Sequence, residues 1–68
     1  MNKEQMAKKA KTNIEWVIKN LNKDLILLNA MENNDMYDEY DIKDILIDIH
    51  AILQTQANTT QNQIEESI

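Results

Sequence analysis

No glycine and no proline occurs anywhere in this chain, and that double absence limits the fold more than any motif does. Tight hairpin turns of the primed types rely on Gly or Asn, and a sheet needs such turns often. Phosphate-cradling loops and dinucleotide-binding turns need glycine as well, so those enzyme classes are excluded with the sheets. A chain whose only breakers are Asn and Asp reads as helices joined by an Asn/Asp turn. The expected class is all-α.

Sixty-eight residues allow one domain, spanning 1–68. A chain this short buries only about 60% of its unfolded surface, so it usually needs a staple or a partner. It has no cysteine for a disulfide or thiolate site, and His50 is its single histidine, which excludes a multi-histidine zinc site within one chain. No cofactor or metal is expected. The longest uninterrupted apolar run is Leu25–Leu28, far below the roughly 20 residues of a membrane span. The N-terminal Met-Asn-Lys-Glu-Gln has no apolar stretch behind it resembling a signal peptide. The expected location is cytoplasmic, with no membrane partner.

Ala7, Ala10, Ile14, Val17, Ile18, Leu21, Leu25 and Leu28 recur at three- and four-residue steps, the spacing of one helical face. A first helix is expected over about 2–31. Thr12 with Glu15 forms a possible capping box that allows a break near Lys11–Asn13, but the continuous periodicity favours one long helix. Residues 32–37 (Glu-Asn-Asn-Asp-Met-Tyr) are the turn, Asn and Asp replacing the absent glycine. Either Asp35 or Asp38 can cap the second helix, and Asp38, Glu39 and Asp41 then suit its positive end.

The second helix is expected over about 38–57, with Ile42, Ile45, Leu46, Ile49, Ile52 and Leu53 as its apolar face. Residues 58–68 continue a polar, Gln/Asn/Thr-rich run that reads as a fraying extension, although Ala57, Ile64 and Ile68 still fall near the stripe. Folding about the turn sets Leu28 opposite Ile42, Leu21 opposite Ile49, and Ile14 near Gln56. Two helices cannot enclose a stripe this wide. The expected architecture is therefore an antiparallel hairpin that dimerises into a four-helix bundle. In architecture alone this resembles the copy-control proteins of plasmids.

Charge is segregated. Residues 1–23 carry six Lys against two acids, net +4, and residues 24–68 carry one Lys against ten acids, net −9. There is no arginine, the residue best suited to bidentate phosphate and guanine recognition, and the whole chain is −5. Direct nucleic-acid binding is not expected. In an antiparallel dimer, one copy's basic end would lie beside the other's acidic end, guiding orientation more than adding affinity. Asn, Ile and Lys supply 26 of the 68 residues (9, 10 and 7); their codons are AT-rich, which suggests a bacterium, phage or plasmid as the source.

Asp41, Asp44 and Asp48 share one flank of the second helix, opposite His50. They offer either a surface that docks on a basic target or imitates a nucleic-acid backbone, or simply a solvated face, the commoner role of such runs. Trp16 and Leu27 fall opposite the main stripe of the first helix, and Tyr40 and Ile47 do the same on the second. Trp and Tyr are residue types that anchor interfaces, and second-layer packing in a homodimer is the competing role. Candidate partner-binding residues are thus Trp16, Leu27, Tyr37, Asp38, Tyr40, Asp41, Asp44, Ile47 and Asp48. Candidate core or oligomer residues are Ile14, Val17, Ile18, Leu21, Leu25, Leu28, Ile42, Ile45, Leu46, Ile49, Ile52 and Leu53.

His50 lies at the edge of the stripe with no further groups for catalysis. The pairs Glu32/Asp35 and Asp41/Asp44 resemble the spaced acids of helical nucleotide pyrophosphatases, which hold Mg²⁺ with four acids on neighbouring helices, but Glu32 and Asp35 fall in the turn. The four Met (Met1, Met6, Met31, Met36) lie near helix ends, where they suit adaptable packing. The expected function is that of a small non-enzymatic regulatory or inhibitory protein working through protein–protein contact as a homo-oligomer. A structural assembly module is the alternative, and behind it stand an acidic nucleic-acid mimic and a small metal-dependent hydrolase.

Overall fold

The structure is a computed structural model, and it describes residues 2–67. Among these residues there are two helices and no strand: α1, Lys3–Met31, and α2, Glu39–Glu66. Met1 and Ile68, placed above in the methionine set and near the stripe, lie outside the described residues.

Both helix starts follow from side-chain chemistry. Asn2 caps α1, its side-chain oxygen accepting from the Gln5 amide at 2.8 Å. Asp38 caps α2, accepting from the Tyr40 and Asp41 amides at 2.9 and 3.2 Å. Asp41 returns the bond, its carboxylate accepting from the Asp38 amide at 2.9 Å. This reciprocal box satisfies amides that the helix cannot. Thr12 starts nothing: its hydroxyl donates to the Lys8 carbonyl at 3.0 Å, and α1 runs through Lys11–Asn13 unbroken. A hydroxyl that bonds four residues back fits inside a helix.

The helices lie side by side as an antiparallel hairpin of Cα extents 52 × 16 × 8 Å. It is one helix thick, so both broad faces of the pair meet solvent. Among the described residues only Val17, Ile45 and Ile52 are buried apolar side chains, and Asp24 is buried as well. Leu21, Leu28, Ile42 and Ile49 are half-buried.

One expectation needs correction. The register is shifted two to three residues along α2 from the one drawn above: Asn13 meets Thr60, Lys9 meets Gln63, and Asp24 meets Asp48. Two successive turns, Asn34 amide to Met31 carbonyl and Tyr37 amide to Asn34 carbonyl, occupy the connection before α2 begins. α2 therefore begins about 4–5 Å beyond the level of Met31. The polar extension is helical through Glu66. Its glutamines and threonines are used across the seam: Asn13 donates to Thr60 at 2.8 Å, and Gln63 to the Lys9 carbonyl at 3.1 Å. Lys9 reaches Glu66 at 3.1 Å, a half-exposed pair worth little alone.

Candidate interaction surfaces

Taking 100° per residue from the seam residues Val17 and Ile45, each remaining side chain falls on one face of the hairpin or the other. On one face α1 presents Ile14, Ile18 and Leu25, and α2 presents Leu46, Leu53 and Ile64. These side chains are between 46% and 59% exposed. Five of the six are candidate core or oligomer residues, and α2 does not cover them. The apolar arc of α1 is about 100° wide, and a single neighbour in a one-layer hairpin covers only its edge. That edge is Val17, Asp24 and Met31 rather than Ile14, Ile18 and Leu25.

The exposure is large for the whole molecule. The chain presents 5682 Å² to solvent, whereas a compact monomer of this mass exposes about 4,500 Å². Scattered apolar side chains on a surface are ordinary, and six aliphatic side chains on one face make it a candidate interaction surface. Few charges interrupt it. Lys11 lies at its open end, and Glu32 and Glu39 lie at its turn end.

The opposite face differs in kind. Trp16 and Leu27 lie there on α1, 39% and 45% exposed, beside Asp41, Asp44 and Asp48 on α2. Asp41 is engaged in the helix cap and Asp48 faces Asp24, which leaves Asp44 without such a role in the trio. Asp38 is likewise held in the cap. Toward the open end a groove of about 510 Å³ runs between the helices, with Trp16, Asn13, Thr55 and Thr59 in its walls. Tyr37, Tyr40 and Ile47, at 42%, 76% and 59% exposure, sit at the turn or behind α2 and do not join this groove. The structure brings Trp16, Leu27 and the aspartates to one face and leaves the two tyrosines and Ile47 apart.

Asp24 is the residue the sequence reading missed. It is 5% exposed, and its Oδ2 atom has no hydrogen-bond partner. Its pKa is raised, first because the Asp48 side chain shares a hydrogen bond with it, then through burial and the Asp48 charge; Lys23 opposes the rise. A carboxyl beside a like charge and out of water favours its protonated form. The signal available in the sequence was Asp24 lying seven residues after Val17, on the line of the seam.

Among the described residues, no group of three or more His, Cys, Asp or Glu side chains is arranged to hold a metal ion. No described helix is long and apolar enough to cross a membrane. No protein-family model matches the chain, and comparison with curated proteins and with solved structures gave no match.

Proposed function

We propose that this chain is a small non-enzymatic regulatory or inhibitory protein that acts through protein–protein contact as a helical homodimer, a four-helix bundle of two hairpins. The observation that carries this reading is the presence of two unlike apolar surfaces on opposite faces of one hairpin. The broad aliphatic face suits permanent burial, since homodimer interfaces are more apolar than the rest of a surface. The narrower face, with Trp16 and Leu27 beside acidic side chains, suits a second protein with a basic rim. A buried aromatic anchor supplies much of the energy in such contacts, and a charged border sets orientation.

The test is capture from a bacterial host extract with immobilised wild-type protein and with Trp16→Asp. A specific protein retained by the wild type and lost with Trp16→Asp, while the variant keeps its oligomeric mass, supports the reading. Equal retention by both, or no enriched protein at any salt concentration, opposes it. The assembly reading draws on the same exposed faces and predicts mass that keeps growing with concentration.

A further inference from the structure

We infer that the aliphatic face is covered by a second copy of this chain, packed antiparallel about a two-fold axis near Leu21, with Lys11 of each copy set against Glu32 of the other. This rests on the self-association part of the proposed function and adds the face, the orientation and the register.

Three observations lead there. The first is area. The excess over a compact surface, 5682 Å² against about 4,500 Å², is of the size a stable dimer removes, about 800 Å² from each partner. The second is the order of residues along the exposed flank of α1. Lys11, Ile18, Leu25 and Glu32 follow one another at seven-residue steps, so they form one line along the helix with only about 20° of drift per step. A two-fold contact presents the same patch twice, each residue meeting its counterpart reflected through the axis. Reversing this line about its midpoint puts Ile18 on the partner's Leu25 and Lys11 on the partner's Glu32. A parallel contact sets α1 over the partner's α2 and brings the two Lys11 to one level and the two Glu32 to one level, with no opposite charge between them.

The third observation is the charge of the two halves. The turn half, residues 20–52, holds two Lys against eight acids, net −6; the open half, residues 1–19 and 53–68, holds five Lys against four acids, net +1. Parallel packing sets the two strongly acidic halves together. Antiparallel packing sets each beside the near-neutral, lysine-bearing half of the other copy. The six aliphatic side chains are centred near the level of Lys19, about 4 Å from that midpoint, so the axis that pairs the charges still overlaps most of the two apolar patches.

The chain has no cysteine, so single substitutions report position cleanly. In the antiparallel dimer the two copies of residue 11 lie about 30 Å apart, beyond a short bismaleimide. Lys11→Cys alone should therefore stay uncross-linked, and an equimolar, re-equilibrated mixture of Lys11→Cys with Glu32→Cys should give the covalent dimer. Cross-linking of Lys11→Cys to itself indicates parallel packing and overturns the inference. A chain that sediments as a dimer but gives no product in the mixture buries another face; the inference then fails while self-association stands. A chain that sediments as a monomer defeats both. Charge reversal supplies a second readout. Lys11→Glu should weaken association several-fold and Lys11→Glu/Glu32→Lys should recover it, whereas equal loss in single and double variants contradicts the pairing.

Discussion

The seam between the helices and the face beside it do not divide into apolar core and polar surface. The seam contains Val17, Ile45 and Ile52 with half-buried Leu21, Leu28, Ile42 and Ile49, but also Asn13, Asp24, Gln56, Thr60 and Gln63, whereas the solvent-facing surface carries Ile14, Ile18, Leu25, Leu46, Leu53 and Ile64. A chain folding alone would gain more by turning the second set inward, since burial stabilises in proportion to apolar area. The arrangement makes sense if the seam sets register through directional hydrogen bonds and the face supplies most of the apolar burial in the assembled protein. Polar groups in a helix interface commonly give specificity at a cost in stability.

The largest effect that probes this contrast is loss of the small internal core. Ile52→Ala removes one of the three buried apolar side chains among the described residues and should cost roughly 2–5 kcal/mol, seen as an earlier urea transition by circular dichroism. A loss well below that range would mean the seam contributes little and the hairpin is held together from outside.

Next comes the face itself. Leu25→Asp leaves the seam untouched but places a charge in the middle of the aliphatic patch, and each dimer carries two copies. Association should weaken by on the order of a hundred-fold in Kd, measured by sedimentation equilibrium. Asp at Trp16, on the opposite face, should leave association unchanged. Matching losses at both positions would erase the division between the faces.

The smallest effect concerns the polar character of the seam. Because the Asp24 pKa is raised in the folded state, its contribution is present at acidic pH, below the ordinary carboxylate range. It is lost as pH rises through the folded value, when Asp24 ionises. Asp24→Asn keeps a donor toward Asp48 without the charge. Its melting temperature should exceed that of the wild type near about pH 7, and the gap should shrink toward about pH 4. A gap that does not change with pH would mean the buried carboxyl does not titrate as described.

The helices, the turn and an aspartate cap at Asp35 or Asp38 are legible in the sequence, because each depends on neighbours within a few residues: the three- and four-residue spacing from Ala7 to Leu28, or an aspartate placed just before a helical run. Register was harder, since it depends on how far the connection travels between Met31 and Asp38. The helical state of the C-terminal run was hidden for a related reason. Gln63 and Thr60 look like tail residues until the register sets them against Lys9 and Asn13. The rotation of α1 could not be read at all. An apolar arc wider than one neighbour does not say which of its edges, Val17 or Ile18, that neighbour will cover. Asp24 was passed over because an isolated acid in a mixed stripe is ordinarily solvated, and only the position of Asp48 makes it otherwise.

The central claim is that the aliphatic face of the hairpin is covered by another copy of the same chain. Sedimentation equilibrium of the wild-type protein at micromolar concentration and neutral pH addresses it most directly. The account predicts a single species of twice the 8.0 kDa chain mass, with no growth as concentration rises. A folded, helical monomer at the chain mass over the same range would contradict it.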